Sequence, residues 1–392
     1  MTFITDLSKE DLQGKRVLVR ASYDLPLDEQ GAITDERRVI DSLPTIQFLL
    51  EQEAKIILFA HSGRPKGKVD PLRSMKVVGE CLSKHLNTNV KTLKDCVGNE
   101  VEQAITKMQN KEIILLENVR FHKEEKSKDE NERTEFGKQM AAFADIYIQD
   151  AYANAHHDQA SMTAVPKFIP CYIGIALKKE LDALQPLENP EQPYVAIIGG
   201  AKAEKVNVVK NLLKKVDKII IGGILANTFL KASGVDIGNS KYDEETLPLI
   251  KDLPKEKIII PIDVVAAESF DKDAKTVIVD TNNVPPTNLI IDIGPKTIQL
   301  YAETLKKAKT VVWCGPIGVN EWDSGIQGTK QIAETLAQIK ETTYVLIGGG
   351  DSGAAIEKLN LEEKMGHVST GGGATLTWLS GKGLVAVDIL NK

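Results

Sequence analysis

From end to end this chain alternates short, continuous Ile/Val/Leu runs with stretches whose apolar residues recur at helical spacing. The runs fall at 16–20, 55–60, 90–93, 113–116 and 146–149, then at 194–198, 218–221, 257–261, 289–293, 310–313 and 344–347. Between the first five lie amphipathic stretches at 75–86, 101–108 and 134–144. A strand that is apolar at every position, not every second one, is buried on both faces, as in a parallel sheet covered by helices. The 392 residues exceed what one such core holds. The expected fold class is therefore α/β: two Rossmann-like three-layer αβα domains with parallel sheets, joined by an interdomain helix. Residues from Lys178 to Leu187 read as that helix, and Pro190 and Pro193 stop it. The boundaries expected are 1–177, a linker at 178–193, and 194–369, with the terminal stretch 370–392 apart. The charged run 123–133 reads as a solvated loop and helix start.

Composition excludes several classes. A net charge of −6 argues against a general nucleic-acid binder. Apolar runs are far too short to span a membrane, and Met1-Thr-Phe-Ile-Thr-Asp lacks the basic-then-apolar pattern of a secretion signal. Cys81, Cys96, Cys171 and Cys314 form no CxxC pair, so neither a disulfide framework nor a structural zinc is expected. A reducing cytoplasm is the expected setting.

Two residue types are unevenly placed. Every arginine (16, 20, 37, 38, 64, 73, 120 and 133) lies in the first third, whereas glycine concentrates after residue 188. A Lys-biased genome with a few leftover arginines is one explanation. Two domains with different recognition chemistries is the other, since guanidinium forks suit carboxylate and phosphate and glycine turns suit nucleotide phosphates. In the second half the runs end in Gly199-Gly200-Ala-Lys202, Gly222-Gly223 and Gly348-Gly-Gly350-Asp351-Ser352, and Gly371-Gly372-Gly373 precedes a helical stretch. Glycine at a strand-to-helix turn lets backbone N–H groups approach an anion. Residues 348–353 satisfy GxGxxG, but no acidic residue ends a following strand to grip a ribose, and GxxxxGK[ST] is absent. Asp351 is either a helix N-cap or a Mg²⁺ ligand on nucleotide phosphates. Lys202 and Lys205 at a helix start, where cations are slightly unfavourable, favour a bound anion. In the first half Arg38, His61, Arg64, Arg120, His156 and His157 all follow strands, and such a basin suits a small, multiply charged acid.

In their order and spacing these segments resemble the phosphoglycerate kinase family over the whole chain. The carriers are Ile33-Thr-Asp-Glu-Arg-Arg38, His61-Ser-Gly-Arg64-Pro, Leu116-Glu-Asn-Val-Arg120-Phe, Asp150-Ala-Tyr-Ala-Asn-Ala-His156, Gly199-Gly-Ala-Lys202, Asp292-Ile-Gly-Pro, Trp313-Cys-Gly-Pro316-Ile-Gly, Gly348-Gly-Gly-Asp351-Ser and His367-Val-Ser-Thr-Gly-Gly-Gly. The resemblance implies reversible phosphoryl transfer between 1,3-bisphosphoglycerate and ADP, giving 3-phosphoglycerate and ATP. It implies 3-phosphoglycerate on the first domain, with Ser22, Tyr23, Asp24, Arg38, His61, Ser62, Gly63, Arg64, Arg120, His156 and His157 as the acid site. It places ADP or ATP with Mg²⁺ on the second, with Gly200, Ala201, Lys202, Lys205, Gly223, Pro316, Glu321, Gly349, Gly350, Asp351 and Ser352 lining the site, Glu321 on the ribose and Asp351 on the metal. It also implies a terminal segment, about 370–392, that returns to the first domain. A monomer is expected. The attacking carboxylate is already ionised at neutral pH, so no general base is required. Arg38, Lys205 and the amides of Gly371 and Gly372 are the catalytic candidates, and closure of the two domains must bring the substrates together.

The chain departs from the family pattern at several points. Ser22-Tyr-Asp24 stands for Asp-x-Asn, moving the carboxylate two positions along an extended segment with its direction kept. His157 stands for an arginine, which predicts acid binding that strengthens as pH falls through the histidine range. Lys202 and Lys205 are three apart instead of four, Cys314 replaces an asparagine, Val385-Ala386 replaces Pro-Gly, and Ile224 replaces a glycine where it would crowd the base pocket. Two alternatives stay open: a divergent paralogue with slow turnover or another acyl phosphate, and a non-catalytic nucleotide-binding protein.

Overall fold

The computed structural model describes residues 1–200 and 205–391; the expected site positions Ala201 and Lys202 lie outside them. The chain forms two compact units, Met1–Asp182 together with the segment from Gly383 onward, and Ala183–Lys382. The division falls inside the helix Ile175–Leu184, which starts earlier than the sequence suggested and passes into a 3₁₀ turn, Gln185–Leu187. The return to the first unit begins at Gly383, not at 370. Residues 372–379 stay with the second unit because their helix packs on the helix Lys205–Leu212, and Asn211 Nδ2 donates to the Leu379 carbonyl at 2.9 Å. Beyond it, Ala386 N–H donates to the Ala155 carbonyl at 3.0 Å, and Leu390 packs on the first unit's core.

The first unit holds six strands: β1 (Arg16–Arg20), β2 (Lys55–Phe59), β3 (Val90–Thr92), β4 (Ile113–Leu115), β5 (Ile146–Gln149) and β6 (Cys171–Ile173). They pair in parallel in the order β3-β4-β2-β1-β5-β6. Alternation divides each run between two cores: Val17, Val19, Ile56 and Leu58 join one cluster, while Leu18, Ile57 and Phe59 join the other. Full burial of each such side chain stabilises by about 1.5–3 kcal/mol. The sequence omits β6 because a three-residue edge strand carries no apolar run.

In the second unit the strands are β7 (Tyr194–Ile198), β8 (Lys218–Ile221), β9 (Ile258–Ile259), β10 (Asp263–Ala267), β11 (Thr276–Asp280), β12 (Leu289–Ile293), β13 (Thr310–Cys314), β14 (Tyr344–Gly348) and β15 (His367–Val368). Six form a second sheet, β15-β14-β13-β7-β8-β9, parallel throughout. The run at 289–293 departs from expectation. It pairs antiparallel with β10 in a small sheet ordered β11-β10-β12. A short apolar run does not reveal the direction of its neighbour, and β11 is largely exposed although Val277, Ile278 and Val279 are apolar. In both large sheets strand order reverses beside the central strand, β1 against β5 and β7 against β13, where α/β sheets open a crevice at their carboxyl ends.

One buried charge sits at that point in the first unit. Arg20, the last residue of β1, has no exposed surface. Its Nε donates to Ser161 Oγ at 2.9 Å, Nη1 to the Ala21 carbonyl and Nη2 to His61 Nδ1 at 3.0 Å. Ser161 in turn donates through Oγ and N–H to Glu125, at 2.6 and 2.9 Å. Glu125 is fully buried, which corrects the expectation of a solvated run at 123–133. Burial pushes its carboxyl up, while Arg20 and the Ser161 donors oppose the shift. Leaving Arg20 without this counter-charge exposes the cost of a buried unpaired ion. Glu125→Ala is expected to lower the stability of the first unit by about 3 kcal/mol, and Glu125→Gln by less, since an acceptor for Ser161 remains. Trp313, Trp322 and Trp378 all lie in the second unit, so the readout is hydrogen exchange at the β1 amides. Unchanged protection in Glu125→Ala refutes the coupling.

Candidate functional site

The loops at the carboxyl ends of β1, β2 and β4 meet around Asp24, His61, Gly63 and Arg120. The segment after β1 is extended, so its residues alternate. Tyr23 turns into the core, with its hydroxyl 2.9 Å from Ser42 Oγ, while Ser22 and Asp24 are partly exposed. Tyr23 thus presents no side chain to the basin. Asp24 Oδ1 accepts from Gly63 N–H at 2.7 Å, and its carbonyl accepts from Arg38 Nη1 at 2.5 Å. That bond ties Arg38, in the first turn of the helix Arg37–Glu51, to the loop after β1. Arg120 Nη1 donates to the Gly63 carbonyl at 2.8 Å. Asn118 Nδ2 donates to the Ser62 carbonyl at 2.8 Å, so both sides of the His61–Arg64 loop are held. Gly63 adopts φ +64°, a left-handed conformation suited to glycine.

His61 is fully buried and its protonation is fixed by its neighbours. Arginine only donates, so Nδ1 accepts from Arg20 and the proton sits on Nε2, 3.5 Å from Asp24 Oδ2. Burial, with Arg20 and Arg120 nearby, pushes the imidazole down to about 3 despite Asp24. Burial disfavours the Asp24 carboxylate, but His61, the Gly63 N–H and Arg120 outweigh it and hold the carboxyl well below the usual range. Arg64 is exposed beside this group. The rings of His156 and His157 lie against each other, centroids 3.8 Å apart and planes tilted by 39°. Partial burial, then His156, Arg120 and Lys126, push His157 down to about 4. The His157 imidazole is therefore neutral at physiological pH, and His157 does not supply the expected strengthening of acid binding through the ordinary histidine range.

Glycine turns after β7, β8, β13 and β14 converge in the second unit. A Cβ at Gly223, which has φ +61°, would lie 2.6 Å from the Gly200 nitrogen, so only glycine lets these two turns touch. A Cβ at Gly372 would lie 2.6 Å from the Gly350 nitrogen, bringing the Gly371–Gly372 turn against Gly349–Gly350. Ser352 is buried and its Oγ accepts from Gly315 N–H at 2.6 Å, which pins the β13 and β14 turns together. Asp351 is exposed in the first turn of the helix Gly350–Lys358, whose N-cap is Gly349; the N-cap alternative for Asp351 is excluded. Lys205 is buried at the start of its helix, and Nζ donates inward to the Gly199 carbonyl. Cys314 is buried near it; burial pushes the thiol up to about 12, with Lys205 opposing.

A cavity of about 450 Å³ opens beside these turns, lined by Gly200, Gly223, Pro316, Glu321 and Asp351 and walled by apolar residues. Its size is that of a small-molecule site. Ile224 lines it without closing it. One wall comes from β10 and β12, through Val264, Leu289, Ile291 and Ile293. Sequence reasoning misses these residues; the apolar run 289–293 is their one signal, and it reads as a parallel strand although it pairs antiparallel with β10. Arg20, Glu125 and Asn118 were also missed, and local sequence offers no signal for their burial.

Comparison with known proteins agrees with both units. The family model described as phosphoglycerate kinase matches residues 4–382. A phosphoglycerate kinase of Dictyoglomus turgidum is 45% identical over 99% of this chain and 98% of its own length, and one of Nostoc punctiforme is 45% identical over 98% of each. Among solved structures, the phosphoglycerate kinase of Coxiella burnetii aligns with a TM-score of 0.84 and 38% identity, covering 99% of this chain and 98% of its own. That of Pyrococcus horikoshii aligns with a TM-score of 0.88 and 28% identity, covering 100% and 98%. Glycine turns beside an apolar cavity in one unit, and convergent guanidiniums in the other, are thus features of a chain that belongs to the phosphoglycerate kinase family.

Proposed function

We propose that this chain carries its family's ATP-dependent phosphoryl transfer to a carboxyl group with 3-phosphoglycerate held on the first unit and the nucleotide on the second. The observation that carries the assignment is the shared anchoring of Arg38, His61 and Arg120 on Asp24 and Gly63 at the switch point of the first sheet. Arg38 faces the reacting carboxylate and stabilises charge on the group in transit. His61 cannot act as a base, because Nδ1 is committed to Arg20; it orients Asp24, which is positioned to accept a hydrogen bond from the substrate hydroxyl. None is needed, since the attacking carboxylate is ionised at neutral pH. Catalysis then rests on positioning and charge.

The apolar cavity accepts the nucleoside, with Glu321 on the ribose. The amides of Gly371 and Gly372, at the start of the helix Gly372–Leu379, face the transferring phosphoryl group. Lys205 holds the first glycine turn through Gly199 and adds positive field beneath the phosphates. An exposed Asp351 on this cavity fits Mg²⁺, which takes one or two carboxylates together with phosphate oxygens; bound there, the ion would neutralise phosphate charge. A cytoplasmic monomer is part of this reading, in keeping with a family of small-molecule kinases.

A coupled assay of ATP formation from 1,3-bisphosphoglycerate tests this directly. Wild type is expected to turn over, and Arg38→Ala to lose roughly 10²–10³-fold in kcat with ADP binding kept. Intact ADP binding without wild-type turnover would support a binding module instead. In the reverse direction the pH dependence of kcat/KM for 3-phosphoglycerate between pH 6 and 8 follows the substrate's own phosphate, with its pKa of about 6. With His157 neutral throughout that range, His157→Gln leaves the shape of the profile unchanged. A lost inflection between pH 6 and 8 contradicts this.

A further inference from the structure

The acid proposed above carries close to three negative charges at neutral pH, one on the carboxylate and nearly two on the phosphate. The basin must match that charge, yet two of its members bring none, because His61 and His157 are neutral at this pH. Arg38 is tied toward the loop after β1, which places it at the reacting carboxylate. The remote phosphate needs cations elsewhere.

A cleft of about 300 Å³ lies between the loop after β2 and the turn Lys123–Lys126. Its charged lining is Arg64, Lys66, Arg120, His122, Lys123 and Lys126, with no carboxylate among the described residues. His122 is occupied by Asp95 Oδ1 at 2.7 Å. Arg120 is largely buried, and its Nε is a buried donor with no hydrogen-bond partner among the described residues. A buried donor left open beside a concentration of positive charge points to an anion.

Lys126 stands apart from the other lysines of this cleft by its setting. It is exposed on the cleft; slight desolvation and the guanidiniums of Arg120 and Arg64 destabilise its charge, with Glu125 opposing, and no ion pair to it is present among the described residues. The turn that presents it is not free to swing away. Glu125, the residue before it, is clamped from the core by Ser161. With its amide turned so that oxygen faces Arg120, Gln159 accepts from Arg120 Nη2 at 3.2 Å and donates to Glu125 at 3.3 Å. The turn also packs against Gly67, where a Cβ would lie 2.8 Å from Lys123 Cβ. Like-charged side chains held together at this cost are relieved by a bound anion.

We propose that Lys126 is a substrate-binding residue that completes a phosphate subsite with Arg64 and Arg120, supplying the mobile positive charge that position 157 lacks. The proposal rests on the acid being 3-phosphoglycerate. Because the phosphate does not react, its contacts bind ground and transition states alike and are read in KM. Lys126→Met keeps the stem and removes the charge. It is expected to raise the dissociation constant and the KM for 3-phosphoglycerate about tenfold, as for a lost charge-assisted hydrogen bond, with kcat and the KM for ATP unchanged. Lys126→Arg should stay close to wild type, and His157→Arg in the Lys126→Met background should restore part of the affinity. Calorimetric titration with 3-phosphoglycerate, run beside the turnover assay, separates the two levels. Turnover in wild type with an unchanged dissociation constant in Lys126→Met overturns the Lys126 assignment and leaves the function standing. Wild type that binds the acid through Lys126 but does not turn over overturns the function and keeps the subsite. Equal losses in kcat and in the KM for ATP mark a structural effect and overturn the subsite, as does a wild type that does not bind the acid.

Discussion

A guanidinium with no exposed surface, at the carboxyl end of the central strand of the first sheet, is the constraint around which the acid site is arranged. Removing Arg20 from water is costly, and the surrounding groups offset that cost by serving it. Glu125 supplies the counter-charge through Ser161, and His61 supplies an acceptor. Each response has a consequence further out. Glu125 fixes the turn that carries Lys126. His61 is confined to one tautomer that faces Asp24, and Asp24 fixes both Gly63 and Arg38. The residues proposed to touch the acid are thus held by neighbours beneath them, and their geometry is set by the protein alone.

The second unit reaches the same kind of preorganisation by the opposite means. Its turns approach so closely that side chains are excluded, and backbone N–H groups take the place of charged forks. The uneven distribution of arginine and glycine follows from this division only in part. Arg38, Arg64 and Arg120 form the proposed acid basin. Arg16 pairs with Asp145, Arg37 with Asp35 and Arg133 with Asp158, which are structural or surface roles. Arg20 is neither: it lies beneath the basin and makes it possible.

What was legible in the sequence depends on whether local composition records burial. Continuous runs such as those of β2, β7 and β13 announce strands covered on both faces, and glycines after β7, β8 and β14 announce turns that approach one another closely. Short edge strands such as β6 and β15 leave no such record, and β10 and β11 lie in a small antiparallel sheet whose pairing no single run specifies. Tyr23 stands between two site candidates in the sequence, but the alternation of Ser22, Tyr23 and Asp24 along an extended segment turns it into the core. Glu125 sits in a run of charges that reads as surface, because its burial depends on Arg20 and Ser161 from distant parts of the chain. Lys205 turns inward for the same kind of reason: its partner is the Gly199 carbonyl, and no local pattern encodes a backbone acceptor.

In the free protein Arg20 sets the state of His61, and through it the proposed acid site. Nitrogen-15 NMR of the histidine rings measures this most directly. The account predicts a neutral His61 at pH 7 with its proton on Nε2 and Nδ1 as acceptor, staying neutral until the pH approaches about 3. An imidazolium at pH 7, or the tautomer protonated on Nδ1, would contradict it.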